Sequence, residues 1–287
     1  MRIGRKFFGV FTLASVTACA SSPASPTGRP PAGSTIVYAA LGASDVTGVG
    51  SSVVCLPYAE CPNGTGYAFV AARELRGRGF TVNVTNMGIP TGVISRTFQD
   101  MAAQLGRTVL GNLIDQAAPF VSKDSTLITI FAGANEVNIV TGAMGNGAGA
   151  SDPAGYIDQQ VKSFSDDYAR LMSTLRTLAP SARFVLLNVP NVAGMPFLST
   201  ATVAQRQAAQ RAAVRMSTTV INPLASSSVT VIDLLCDARL YDRGNYSSDG
   251  FHPNDAGYAA IGAEVARAVT GPYPAPQGSC SSMAIVP

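Results

Sequence analysis

The sequence predicts an α/β protein: one five-stranded parallel sheet with helices on both faces, a three-layer α/β/α sandwich. Two observations predict it. Short β-branched or apolar runs alternate with longer helical ones from residue 34 to residue 270, without internal repeat. Strands joined through helices in this way lie parallel in one sheet. The first and third strand candidates are also nearly continuous apolar runs, as strands buried on both faces are. A chain of 287 residues suits one sizeable domain with a substantial core.

Residues 34–41 (STIVYAAL) read as the first strand, followed by the turn Gly42-Ala43-Ser44-Asp45. Residues 51–66, with Pro, Gly and two cysteines, read as an ordered loop, and residues 67–78 as an amphipathic helix closed by Gly77 and Gly79. Residues 81–87 form a second strand ending at Gly88. Residues 97–121 read as helical, with breaks near Gly111 or Pro119. Residues 125–131 (STLITIF) form a third strand ending at Gly133. The glycine-rich residues 142–155 read as a mobile loop. Helix 156–178 is stopped by Pro180, and strand 183–189 by Pro190. An Ala- and Arg-rich helix at 201–224, a strand at 229–235 and a last helix at 254–270 complete the domain.

The first residues have a different character. Arg2, Arg5 and Lys6 precede an apolar run, residues 7–18, that is too short to span a bilayer as a mature helix. The run ends Val16-Thr17-Ala18-Cys19, which resembles a bacterial lipobox with Cys19 as the lipidated residue. Ala18-Cys19-Ala20 also reads as an ordinary A-x-A cleavage site that would release a secreted protein. Residues 1–19 are thus expected to be a lipoprotein-type signal peptide, with cell-envelope anchoring, and 20–33 a flexible Ser/Pro linker. The domain is expected to span 34–272, followed by a tail, 273–287. Apart from Cys19, the cysteines are Cys55, Cys61, Cys236 and Cys280, an even set that in an exported chain reads as disulfides. Cys55–Cys61 closes a natural short loop and leaves Cys236–Cys280, which would tie the tail; free buried thiols are the other reading. The absence of Cys-x-x-Cys and of a second His argues against zinc. The net charge of +3, without a long basic run, gives no reason to expect nucleic acid. No cofactor is expected, the partner is a small-molecule or lipid substrate, and the chain is expected to be a monomer.

In open parallel sheets, ligands bind beyond the carboxyl ends of the strands. Ser44, Gly88 and Gly92, Asn135 and His252 all follow predicted strands. His252 is the single histidine, in Asp249-Gly250-Phe251-His252-Pro253, so it is the one imidazole available as a base near neutral pH. Asp249 stands close enough in sequence to orient one ring nitrogen, which leaves the other for a nucleophile. The same stretch reads as a helix start, with Asp249 or Asn254 as cap, and the two readings are compatible. Ser44 is the candidate nucleophile, beside the small Ala43. Donors to a developing oxyanion are the Ser44 N–H, a glycine N–H after the second strand and the Asn135 amide. Separately, Ser44 and Asn135 read as ordinary turn residues; only the set gives them meaning.

These segments resemble four blocks of the SGNH hydrolases, the GDSL esterase/lipase family. They are Gly42-Ala43-Ser44-Asp45, Asn86-Met87-Gly88-Ile89-Pro90-Thr91-Gly92, Gly133-Ala134-Asn135-Glu136 and Asp249-Gly250-Phe251-His252-Pro253, in family order. The resemblance implies a flavodoxin-like sheet and hydrolysis of carboxylic esters. Ser44 would attack, His252 would serve as base, Asp249 would orient it, and Ser44, Asn135 and Gly92 (or Gly88) would form the oxyanion hole. Two positions depart from the pattern. Ala43 stands where the family usually has Asp, and the glycine block carries one extra residue; Gly92 matches the family's oxyanion glycine by following Ile89-Pro90, and Gly88 matches it if the turn is tighter. Ser44 lacks the G-x-S-x-G elbow of the α/β-hydrolases, and no G-K-[ST] phosphate loop occurs.

Two apolar stretches are expected to flank Ser44 and take an acyl chain: Val137, Ile139, Val140 and Met144, and Val192, Met195, Phe197 and Leu198. The alternative is that they are core. Residues 142–155 are expected to let this apolar wall move, and because nothing in the sequence looks like a long hydrophobic lid helix, short-to-medium acyl chains are expected. Rival readings are a polysaccharide acetyl esterase or O-acetyltransferase, against which the absence of Trp argues, and an inactive surface lipoprotein.

Overall fold

The computed structural model describes Met1 and residues 28–287, so Cys19, the expected signal peptide and most of the linker lie outside the described residues. The chain begins with β1 (Thr35–Gly42), the one-turn α1 (Ser44–Thr47) and α2 (Tyr67–Gly77). β2 (Thr81–Gly88), α3 (Arg96–Gln104), the short α4 (Leu113–Gln116) and β3 (Leu127–Phe131) follow. Next come α5 (Ala134–Gly145), α6 (Pro153–Leu178), β4 (Arg183–Leu187), α7 (Val203–Arg215), β5 (Val229–Ile232) and α8 (Asp255–Thr270). All strand pairs are parallel, in the order β2-β1-β3-β4-β5. This is the flavodoxin-like order, whose direction reverses between β1 and β3.

Because strand side chains alternate, the sheet carries two cores. Ala39, Leu41, Ile128, Ile130, Phe184 and Leu186 face α3, α5, α6 and α7. Ile36, Tyr38, Ala40, Val185 and Leu187 face α2 and α8. Removing a Leu or Ile of this kind from water stabilises the fold by about 1.5–3 kcal/mol.

Three expected elements differ. The helix expected over 97–121 stops at Gln104, because Gly106 turns the chain with φ +68°. Helix resumes only at α4, where Asn112 accepts from the Asp115 N–H. The helix expected over 201–224 becomes π-helical over Met216–Ile221, where the buried Ser217 hydroxyl bonds the Val189 backbone. Residues 134–145, read as a turn and part of a loop, are the helix α5.

Cys55–Cys61 and Cys236–Cys280 are disulfides. They point to an exported protein, and the free-thiol reading fails. Among the described residues no helix is long and apolar enough to cross a membrane.

Candidate active site

The site starts from two glycines side by side, Gly42 and Gly88, paired at the ends of β1 and β2. A Cβ on Gly42 would lie 2.6 Å from the Phe131 carbonyl oxygen, and one on Gly88 2.8 Å from that of Ala43. Bare backbone at both positions lets the turn after β1 settle on the sheet edge, with Ser44 opening α1. As first residue of that helix, Ser44 has an N–H with no intrahelical acceptor.

Ser44 Oγ lies 2.8 Å from His252 Nε2, and His252 Nδ1 lies 2.6 Å from Asp249 Oδ2. Asp249 Oδ1 accepts from the Ser247 hydroxyl and from the N–H groups of Phe251 and His252 at 2.8, 2.8 and 2.9 Å. Gly250 makes this turn with φ +69°, and a Cβ there would stand 2.8 Å from the Phe197 nitrogen. Asn254 then caps α8, accepting from Ala256 and Gly257, while its amide holds the Gly244 and Tyr246 carbonyls. Burial pushes the Asp249 carboxyl up, but the His252 ring, the two N–H groups and Ser247 outweigh it and hold the carboxyl at about 2. Asp249 is therefore ionised at neutral pH. It takes the Nδ1 proton as partner and leaves Nε2 to accept from Ser44.

The opposite side gives a different answer from the one expected. The Gly88 N–H donates to Asn86 Oδ1 at 2.9 Å, and the Gly92 N–H to the Ile89 carbonyl at 2.7 Å. Both glycine donors are thus already used. Between them Thr91 adopts φ +61°, a conformation that costs a non-glycine residue about 1–2 kcal/mol. Its hydroxyl accepts from the Leu110 N–H, its own N–H has no partner among the described residues, and it lines the cleft with Ser44. Asn135 Nδ2 donates to the Gly92 carbonyl at 2.8 Å, which orients the amide and leaves its second N–H unused.

Behind this edge lies Glu136, fully buried, whose Oε1 accepts from the Ile94 N–H at 2.5 Å. Burial pushes its carboxyl up to about 7, against the pull of the N–H groups of Glu136, Ile94 and Gly133. Asp45, half-buried next to Ser44, is also pushed up by burial, with His252 opposing.

An open cleft of about 540 Å³ covers Ser44, His252, Asp249, Asn135 and Thr91. Of the residues expected to receive a substrate, Ile139 and Phe197 line it. Val137, Val140 and Met195 belong to the core and do not line the cleft, as is true of Val192; Leu198 packs against that core, and Ile139 is itself almost wholly buried in it at the cleft's edge. The cause is helical phase. On α5, residues 135, 138 and 139 reach the cleft, while 137 and 140 point into the core. Met144 lines a separate groove with Ala148, Gly149 and Ile157. The expected movable wall is corrected in the same way: α5 runs through Gly142 and Gly145, and the loop beyond it borders that groove and not the cleft. Residues missed from sequence are Val49, Pro90, Thr91, Arg107, Thr108, Val109, Asn138 and Phe251. Phe251 lay inside the His252 motif and Pro90 and Thr91 inside the glycine block, whereas the others carried no signal. Among the described residues no His/Cys/Asp/Glu group is arranged to hold a metal.

A family model, GDSL-like Lipase/Acylhydrolase, matches residues 40–260. No curated protein matches the chain. Several solved structures share the fold. The lipase Lip_vut3 from a goat rumen metagenome has a TM-score of 0.56 at 17% identity, covering 82% of this chain and 98% of that one. The extracellular lipase of Streptomyces rimosus has a TM-score of 0.54 at 18% identity, covering 82% and 100%. A point mutant of Axe2, an acetyl-xylooligosaccharide esterase from Geobacillus, has a TM-score of 0.51 at 13% identity, covering 86% and 99%.

Proposed function

Because the chain belongs to the GDSL-like lipase/acylhydrolase family, we propose that it is a serine esterase cleaving carboxylic esters of short-to-medium acyl chains. The observation that carries this reading is the unbroken line Ser44 Oγ, His252 Nε2, His252 Nδ1, Asp249 Oδ2 at 2.8 and 2.6 Å, opening into a cleft. Ser44 Oγ attacks the ester carbonyl as its proton passes to His252 Nε2. The imidazolium formed is stabilised by the ionised Asp249. The oxyanion accepts from the Ser44 N–H, the Asn135 amide and the Thr91 N–H, which takes the role first expected of Gly92 or Gly88. His252 then protonates the leaving alcohol, and water repeats the sequence on the acyl-enzyme.

Val49, Val109, Ile139, Phe197 and Phe251 give the cleft apolar surface for an acyl chain. Each buried methylene contributes up to about 0.8 kcal/mol, so kcat/KM on 4-nitrophenyl esters should rise from acetate and then level off when the cleft is full. Activity confined to acetate, with acetylated xylan preferred, would replace this reading with a carbohydrate acetyl esterase. We further propose that Cys19 anchors the chain to the cell envelope. Its replacement by Ser should move the protein to the soluble fraction and abolish labelling by palmitate analogues. An unlabelled wild type with a processed N-terminus would instead mean plain secretion.

A further inference from the structure

The cleft lining has two unlike parts. Next to His252, Phe197 and Phe251 pack edge to face with ring centroids 5.2 Å apart. The rest of the lining includes the polar Arg107, Thr108 and Asn138. Arg107 is the one lysine or arginine lining the cleft, and among the described residues no carboxylate lies within 4.0 Å of it. Asp249, the acid of the cleft, is committed to His252, Ser247 and two backbone N–H groups and does not compete for it.

Arg107 is exposed, and its guanidinium makes one hydrogen bond to the protein among the described residues. Its Nη1 donates to the Asn138 carbonyl at 3.1 Å, and one turn further along α5 the missing side chain of Gly142 gives it room. A Cβ at Gly142 would stand 2.9 Å from Arg107 Nη2. One of five N–H donors is thereby used. The others form a planar fork that matches a carboxylate or a phosphate. Resting on the proposed esterase reading, we infer that Arg107 selects esters carrying an anionic group, a carboxylate or a phosphate, a few bonds from the scissile carbonyl. The apolar wall takes the uncharged arm of the same substrate. The cation also raises the local concentration of such substrates, an effect that salt screens.

Two matched pairs test this. Mono-4-nitrophenyl glutarate against its methyl ester puts the charge on the acyl arm. 1-Butyrylglycerol 3-phosphate against 1-butyrylglycerol puts it on the alcohol arm. The wild type should favour the anionic member of at least one pair, and that pair tells which arm meets Arg107. In Arg107→Gln the anionic-to-neutral ratio of kcat/KM should fall about tenfold, mainly through KM, because a charge-assisted hydrogen bond is lost. Arg107→Lys should retain part of the ratio, and raising salt from about 20 to about 200 mM should shrink it in the wild type. An equal ratio in wild type and Arg107→Gln for both pairs, or a preference for the neutral member of both, overturns the inference while leaving the esterase reading intact. Failure to hydrolyse any of the four esters overturns both.

Discussion

On the His252 side of the cleft, six consecutive residues carry the whole arrangement. The Asp249 carboxylate is wired to Ser247, Phe251 and His252, all within three positions of it. On the Asn135 side, the arrangement is spread over the β2–α3 connection and the start of α5. Asn135 reaches Gly92 across 43 positions, and Glu136 reaches Ile94 across 42. The first side is fixed by neighbours in sequence and the second by neighbours in space. The difference shows in the acids. Asp249 is held down by donors that reach it locally, whereas Glu136 is pushed up by burial that only the folded core supplies.

The largest expected effects break the local side. His252→Ala and Ser44→Ala should each lower kcat on a 4-nitrophenyl ester by about 10³–10⁶. No second imidazole exists in the sequence to substitute. Turnover within tenfold of wild type in a folded His252→Ala protein would end the assignment.

The next effect tests the distributed side. Asn135→Ala should cost about 3 kcal/mol of transition-state stabilisation, read as a fall in kcat with KM nearly spared. A loss confined to KM would move Asn135 from the oxyanion to ground-state binding.

The smallest effect sharpens the contrast through pH. Glu136 has a folded pKa of about 7 against a reference of 4.5, so folding favours its protonated form. The stability this contributes is fully present below about pH 4.5 and is lost as pH rises through about 7, to the extent of roughly 3 kcal/mol at most. The melting temperature of wild type relative to Glu136→Gln should therefore decline over that window. Asp249 has the opposite sign: its contribution is present above 3.8 and is lost as pH falls through about 2. A wild-type-minus-variant difference that stays level from pH 4 to pH 8 would show that Glu136 is not held in the environment described.

The same division explains what the sequence disclosed. Strand–helix alternation announced the parallel sheet, and the Asp249–His252 spacing announced a pair that needs no distant partner. The α5 helix was hidden because Gly142 and Gly145 lie inside it and Gly133 opens it with φ +125° and no side-chain cap. Burial of Val137 and Val140 carries that helix, and no local preference reveals it. Thr91 was hidden for a related reason. Which N–H remains free after β2 depends on Asn86 and Ile89 claiming those of Gly88 and Gly92, and nothing local marks a Thr for a left-handed conformation.

The hydrogen bond between Ser44 and His252 joins positions 208 apart, so the chain delivers one partner at its start and the other close to its end. The ribosome releases a chain from the N-terminus, so a nascent molecule presents Ser44 and then Asn135 long before His252 is made. Through most of its synthesis Ser44 has no imidazole to pair with. The last segment also supplies α8, where Gly262 abuts Val70 and the Tyr67 carbonyl of α2, so the imidazole reaches Ser44 together with the helix that closes the sheet's second face. Reactivity toward a fluorophosphonate probe should therefore behave as a clock for completed folding: silent in every truncation that stops short of residue 252, and switching on as the last helix of the domain docks.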